Sequence, residues 1–108
     1  MALQVEVLSF EMVAAVRPLV GRVRRHDRSL ADQMVRAASS VVLNIAEGDV
    51  SDAGNQRARF FTAAGSANEA RAALRLAVAW GYVAQAEADP GAALLQRILP
   101  MLLKLARK

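Results

Sequence analysis

The sequence predicts an all-α protein, an antiparallel up-down-up-down four-helix bundle formed by one domain over residues 1–108. Two features of the composition favour this fold. The chain is 55% hydrophobic but only 5% aromatic, and it contains only three prolines and six glycines in 108 residues. The third feature is an apolar periodicity of three and four residues, which is typical of amphipathic helices and recurs in four segments. Because the connections between these segments are short, consecutive helices should pack antiparallel.

The first two helices are predicted from their apolar stripes and from the residues at their ends. The first helix runs over about residues 3–25. Asp27 or Ser29 can cap the second helix, because a carboxylate or hydroxyl oxygen accepts hydrogen bonds from the free backbone N–H groups at a helix start. The second helix then continues to Glu47. Gly48 is expected to stop it, since glycine readily adopts the left-handed conformation that ends many helices.

The third and fourth helices follow from similar signals. The third is the longest and covers about residues 53–80, with Ser51 or Asp52 as its N-cap. The last helix is predicted to open at about Gly91. Its start is marked by the pair Asp89-Pro90, in which the aspartate caps the helix and the proline takes the first helical position, where a missing N–H is tolerated.

The third helix carries two apolar rows, which is more than an isolated bundle needs. The row expected to face the bundle core, termed the core row, is Phe60, Ala63, Ala67, Ala70, Leu74 and Ala77. The second row, termed the outer row, is Phe61, Gly65, Asn68, Ala72, Leu76 and Ala79. Since alanine is common in this chain, composition alone can produce a second apolar row. Large exposed apolar patches are rare on monomers, however, so we expect the outer row to face a neighbouring subunit.

Polar side chains inside the apolar segments predict a structural cluster. Asn44 and Glu47 stand in an otherwise apolar helical run, and burying them without partners would cost several kcal/mol. If the turn between the second and third helices is centred near Ser51, facing residues have numbers that sum to roughly 102. Gln33 and Arg36 then lie level with Glu69 and Ser66, which makes an ion pair between Arg36 and Glu69 plausible. The cluster expected to align the helices is Gln33, Arg36, Asn44, Glu47, Ser66 and Glu69.

The residue types argue against catalysis and metal binding. The chain has no cysteine and a single histidine, His26, which lies among arginines. A di-metal bundle built on Glu47 and Glu69 would need about four carboxylates and usually two histidines. No serine lies in a nucleophile-elbow motif, and no glycine-rich phosphate loop is present. We therefore expect no catalytic residue, no metal and no cofactor.

Neither a signal peptide nor a membrane span is expected. The opening residues lack a basic segment followed by an apolar one. The longest uncharged stretch, residues 76–86, is well short of the roughly 18–20 residues that a membrane helix needs. The sequence therefore predicts a cytoplasmic protein without a membrane partner.

The net charge of +4, with twelve arginines and two lysines, is concentrated at the first interhelix turn. Four arginines surround Asp27 there and give the turn a net charge of +3, four minus one. These residues, termed the arginine corner, are Arg22, Arg24, Arg25 and Arg28. The corner has two interpretations: a solvated turn whose cations stabilise a helix C-terminus, or a patch that binds phosphates. No aromatic residue is interleaved with these arginines in the sequence, so base stacking is not expected.

Several stretches together resemble the 23S rRNA intervening-sequence proteins, over about residues 5–105. The matching stretches are Gln33-Met34-Val35-Arg36-Ala37-Ala38-Ser39-Ser40, Asn44-Ile45-Ala46-Glu47-Gly48, Phe60-Phe61, Ala64-Gly65-Ser66 with Glu69, and Trp80-Gly81-Tyr82. That family is similar in fold to accessory proteins of diversity-generating retroelements, which form basic pentameric barrels that engage a reverse transcriptase and nucleic acid. The resemblance implies a bundle that assembles as a ring-shaped homopentamer. This chain departs from the family in its acidic connector after Gly48 and in Ala67, where a leucine is usual.

Two functions follow as hypotheses. The first is a non-enzymatic pentameric scaffold that binds RNA or DNA backbone weakly and without sequence preference, through the arginine corner. The alternative is a protein-binding adaptor that presents its ring to a partner such as a reverse transcriptase and has little affinity for nucleic acid. The cluster of polar residues between the second and third helices would hold the architecture in either case.

Overall fold

A computed structural model of the chain contains four helices, and it describes the backbone of residues 2–108 and the side chains of residues 4–108. The helices are α1 (Ala2–His26), α2 (Arg28–Asp49), α3 (Ala53–Ala79) and α4 (Gln85–Ala106). No strand occurs within residues 2–108. Each helix packs against the next in sequence and α4 packs against α1, so α1 and α3 lie on diagonally opposite corners of the bundle. The predicted all-α antiparallel four-helix bundle is confirmed.

The core is built from aliphatic side chains and many alanines. Every residue of the core row of α3 is buried, as predicted, and the outer row is exposed in the single chain. Phe60 is 2% exposed and is the only buried aromatic ring among the described side chains. Small residues on α3 let the neighbouring helices approach closely, and the larger aliphatic residues of α1, α2 and α4 fill the space between them.

Two predicted helix caps are confirmed. The Asp27 carboxylate accepts a hydrogen bond from the backbone N–H of Leu30 at 3.0 Å and begins α2. Asp52 begins α3 by accepting from the N–H of Asn55 at 3.1 Å. That backbone hydrogen bond, together with one from the Asn55 side chain, lowers the pKa of Asp52. Both turns are therefore fixed by local chemistry that is readable in the sequence.

The prediction that Gly48 stops the second helix is wrong. The α2 helix continues to Asp49, and Gly48 is a buried residue inside it without a positive φ angle. A Cβ atom at this position would lie 2.8 Å from Cε1 of Phe60, closer than side chains pack. The glycine is therefore needed for the close approach of α2 and α3, and not for a left-handed turn.

The predicted start of the last helix at Gly91 is also wrong. The α4 helix begins at Gln85, where the Glu87 carboxylate accepts a hydrogen bond from the backbone N–H of Ala84 at 2.9 Å. Residues 84–88 are mostly alanine, glutamine and glutamate, which are good helix formers, so the helix starts before the Asp89-Pro90 pair. That pair lies inside the helix, although the proline can donate no hydrogen bond to the turn before it.

The turn between α3 and α4 depends on Gly81. This glycine has a φ of +79°, and its N–H donates to the carbonyl of Val78 at 2.9 Å. The N–H of Tyr82 donates to the carbonyl of Ala77, also at 2.9 Å. These two hydrogen bonds form a Schellman motif, which ends a helix sharply and favours glycine at the left-handed position. The motif brings Trp80 and Tyr82 to the end of the bundle that holds the α1–α2 turn.

Candidate functional site

Three polar side chains form a hydrogen-bonded group between α2 and α3. The hydroxyls of Ser40 and Ser66 lie 2.8 Å apart, within hydrogen-bonding distance. The Asn44 amide donates to the carbonyl oxygen and the hydroxyl of Ser40, at 2.9 and 3.0 Å. Arg59 reaches the Asn44 side-chain oxygen at 3.4 Å. Within residues 4–108, no buried side-chain polar atom lacks a hydrogen-bond partner. The polar groups between α2 and α3 therefore have their hydrogen bonds satisfied.

Glu47 does not join this partly buried group, which corrects the prediction that its carboxylate is buried. Its side chain is 60% exposed, and it forms an ion pair with Arg59 at 3.2 Å. The reason is helical geometry. A step of three residues from Asn44 rotates the side chain by about 60° short of a full turn, away from the core. Ser40, which lies one turn before Asn44, takes the inner position that the sequence analysis gave to the carboxylate.

The predicted alignment of α2 and α3 is correct to about one helical turn. A shallow cleft is lined by Gln33, Arg36, Ser66 and Glu69, as the register requires, together with Ser40. The predicted ion pair between Arg36 and Glu69 is not formed within the described part of the chain, and both side chains are exposed. The cluster therefore divides into an inner hydrogen-bonded part and an outer, open part.

The arginine corner is less positive than the sequence predicts. Arg22 forms an ion pair with Glu87 at 2.5 Å, and Arg24 forms one with Asp32 at 2.6 Å. The bond from the Ala84 N–H and the contact with Arg22 lower the pKa of Glu87. Counting the two added carboxylates with the one in the turn, the net charge of the corner is +1, four minus three, where the sequence predicted +3. Arg25 and Arg28 form no ion pair with any side chain of residues 4–108 and are exposed.

An aromatic cluster lies beside these arginines, which the sequence analysis did not expect. The rings of His26 and Tyr82 are stacked with centroids 5.0 Å apart and planes 8° apart. The rings of Trp80 and Tyr82 are 6.5 Å apart and 16° from parallel. The Tyr82 hydroxyl donates to the Asp27 carboxylate at 3.4 Å, and burial followed by this negative charge raises the pKa of Tyr82. The only local signal for the cluster was the Trp-Gly-Tyr stretch, because His26 is far from it in sequence.

The bundle has two separate exposed apolar surfaces. One is the outer row of α3, in which Phe61 and Leu76 are each 46% exposed. The other, termed the α1–α2 face, is an apolar groove between α1 and α2, and its lining includes Val13, Val20 and Val35. The same two helices also carry the large exposed residues Phe10 and Leu43. Because α1 and α3 are diagonal in the bundle, the outer row and the α1–α2 face are separate surfaces.

The described residues contain neither a candidate metal site nor a helix that could cross a membrane. In residues 4–108, no three histidine or acidic side chains come together in a group that could hold a metal ion. None of the four helices, as far as they are described, is both long and apolar enough to cross a membrane.

The comparison with known proteins places the chain in a family. A family model described as 23S rRNA-intervening sequence protein matches residues 1–104. The chain belongs to this family. A solved structure from Bacteroides thetaiotaomicron VPI-5482, described as a protein with unknown function from the S23 ribosomal protein family, superposes with a TM-score of 0.87. The alignment covers 96% of this chain and 99% of that one at 18% identity, so it shows that the two proteins share a fold. No curated protein matches the chain.

Proposed function

We propose that this protein is a non-enzymatic scaffold that assembles into a ring, with five copies as the family resemblance implies, and binds nucleic-acid backbone weakly. The observation that carries the proposal is the exposed outer row of α3. Two large side chains, Phe61 and Leu76, project there among small residues that permit close helix contact. Covering this surface in an assembly removes apolar area from water at about 25 cal/mol per Å².

The positions of the two apolar surfaces favour a head-to-tail contact. The outer row lies on α3, and the α1–α2 face is a separate surface lined by α1 and α2. When one copy's outer row covers the next copy's α1–α2 face, the first copy still has a free α1–α2 face and the second still has a free outer row. Each pair can therefore bind further copies through the same contact. Repeated contacts of this heterologous type close into a ring when the rotation between copies allows it.

The nucleic-acid part of the proposal rests on Arg25 and Arg28. These two side chains are exposed and have no ion-pair partner in the described part of the chain, so each copy offers two cations to phosphates. Two contacts per copy give weak binding, and a ring repeats them around its circumference. Such contacts carry no sequence information.

Introducing charge into the outer row should dissociate the assembly. The double variant Phe61→Glu with Leu76→Glu is expected to reduce the mass in light scattering from about 58 kDa, five times 11.6 kDa, to 11.6 kDa. Carboxylates cannot be covered by an apolar surface without a large desolvation cost. The control adds two carboxylates at exposed positions of α4, away from both surfaces, Ala93→Glu with Gln96→Glu, and should leave the mass unchanged. A wild-type chain that is monomeric at micromolar concentration would contradict the proposal.

Removing the unpaired arginines should weaken the salt dependence of single-stranded RNA binding. For Arg25→Ala with Arg28→Ala, the slope of log K against log salt should fall by about 1.4 for each copy that contacts the strand, because each phosphate contact contributes about 0.7. The control changes Arg57 and Arg107, which lie at the other end of the bundle, to alanine. An unchanged slope in the corner variant would remove these arginines from the binding surface.

A second candidate function is a protein-binding adaptor, and the ion pairs of Arg22 and Arg24 favour it. Glu87 and Asp32 already neutralise half of the arginine corner, which reduces its attraction for phosphate. An adaptor would assemble normally but retain no RNA at low salt, and it would bind a purified protein partner, such as a reverse transcriptase, through the ring. The mass and RNA measurements together therefore separate the two functions.

A further inference from the structure

The aromatic cluster at the arginine corner has the form of an open stack. Tyr82 belongs to both stacked pairs, with His26 as one partner and Trp80 as the other, and those two rings are not themselves paired. All three planes are close to parallel. Trp80 is 65% exposed, and His26 is exposed as well. Aromatic rings with free faces on a protein surface can accept a further ring by stacking.

The cluster is held in place by the turns that carry it. The Schellman motif at Gly81 fixes the backbone on both sides of that glycine, so Trp80 and Tyr82 cannot move independently. The Tyr82 hydroxyl is bound to one carboxylate oxygen of Asp27, and the other oxygen caps α2. The stack is therefore an ordered feature of the bundle end, and ordering it adds no large entropic cost to binding.

The charges around the stack favour a polyanion. Arg25 precedes His26 directly, and Arg28 begins α2 on the other side of the turn. The three carboxylates that belong to the corner are all engaged: Asp27 with Tyr82 and the helix start, Asp32 with Arg24, and Glu87 with Arg22. The cations next to the stack are thus the ones without an ion-pair partner in residues 4–108, and the corner as a whole keeps a net charge of +1. An aromatic surface beside unpaired arginines is the combination that binds single-stranded nucleic acid.

We propose that Trp80, supported by Tyr82 and His26, stacks on an unpaired nucleobase, so that this corner selects single-stranded over double-stranded nucleic acid. The proposal rests on the nucleic-acid binding proposed above and adds the strand type and the residue that recognises it. In a duplex, each base is already stacked between its neighbours and offers no free face. Because every base has an aromatic face, stacking is compatible with binding that ignores sequence.

The test uses Trp80 as its own probe, since it is the only tryptophan in the chain. Its fluorescence is followed while the full-length protein is titrated with a 12-nucleotide oligouridylate, a 12-nucleotide abasic strand, and an RNA duplex of the same length. Binding is measured in parallel by the anisotropy of a dye on each nucleic acid. We expect the oligouridylate to quench the tryptophan and to bind about tenfold more tightly than the other two, equivalent to about 1.4 kcal/mol.

Variants separate stacking from electrostatic attraction. Trp80→Ala should reduce oligouridylate affinity about tenfold without changing the salt slope, because it removes no phosphate contact. Trp80→Phe should recover part of the loss, since it keeps an aromatic ring. The matched control is Val50→Ala, at an exposed position at the opposite end of the bundle, and it should change nothing. Circular dichroism and light scattering establish that each variant is folded and assembled.

Three outcomes would overturn the proposal, and they can be told apart. Equal affinity for the oligouridylate and the abasic strand, without quenching, would overturn the stacking proposal and leave backbone binding standing. Absence of binding to all three nucleic acids at low salt would overturn both. An affinity loss in Trp80→Ala that the abasic strand also suffers would assign the tryptophan to the structure of the corner and likewise overturn stacking.

Discussion

Replacing Phe60 with alanine is expected to lower the free energy of unfolding by about 3–5 kcal/mol. Phe60 is 2% exposed and supplies the only buried aromatic ring of the described core. Its removal leaves a cavity between α2 and α3 that surrounding alanines are too short to fill. A chain of this size has a total stability of about 5–15 kcal/mol, so the loss is a large fraction of the whole. Chemical denaturation followed by circular dichroism measures it.

The adjacent Phe61 provides the matched control. It has the same side chain on the same helix but is 46% exposed, so Phe61→Ala should change the unfolding free energy of the dissociated chain by about 0.5 kcal/mol or less. The comparison is made at a protein concentration below the assembly range. Similar losses in the two variants would show that the assignment of core and outer rows on α3 is incorrect.

The second large effect is expected for Gly48→Val, which should cost about 3 kcal/mol through overpacking. A Cβ atom here would lie 2.8 and 3.0 Å from two ring carbons of Phe60 and 3.2 Å from Cβ of Arg59. The ring is only 2% exposed, so moving it aside disturbs the side chains packed around it. The control is Gly54→Ala, where the nearest atom to an added Cβ is 3.7 Å away, and it should be nearly neutral.

A double-mutant cycle tests whether the contact itself is responsible. Phe60→Leu shortens the side chain that meets Gly48, so it should relieve part of the strain in Gly48→Val. The double variant is then expected to lose about 1 kcal/mol less unfolding free energy than the sum of the two single losses. This difference is within the range for residues in contact. Strict additivity would instead mean that the valine acts elsewhere, for example by disturbing the end of α2.

Features that depend on a few neighbouring residues could be predicted from the sequence. The caps at Asp27 and Asp52 are local, since each side chain accepts from a backbone N–H three residues later. The two rows of α3 follow from helical periodicity, and all of the core row is buried. The register of the second helix against the third could be predicted from the position of the turn between them. For this reason the predicted alignment of Ser66 and its neighbours with α2 is correct to about one helical turn.

Features that depend on contacts between distant segments could not be predicted. From the local sequence, Gly48 is expected to end a helix. The structure instead explains the glycine by the ring of Phe60, which leaves no room for a Cβ atom. The Asp89-Pro90 pair looks like a helix start, but better helix formers precede it. The charge of the corner depended on Glu87, which is far from Arg22 in sequence, and the aromatic stack depended on a similarly distant pair. Nothing in a linear pattern reports such distances.

Asp27 links the two turns at this end of the bundle, because its carboxylate accepts a hydrogen bond from each of them. One carboxylate oxygen holds the first turn of α2, and the other holds the tyrosine that follows α3. Loosening either loop therefore weakens the other, although the two are more than fifty residues apart along the chain. The end of the molecule that carries the arginines and stacked rings should therefore unfold locally as one cooperative unit. A ligand bound there would reduce the mobility of both loops together.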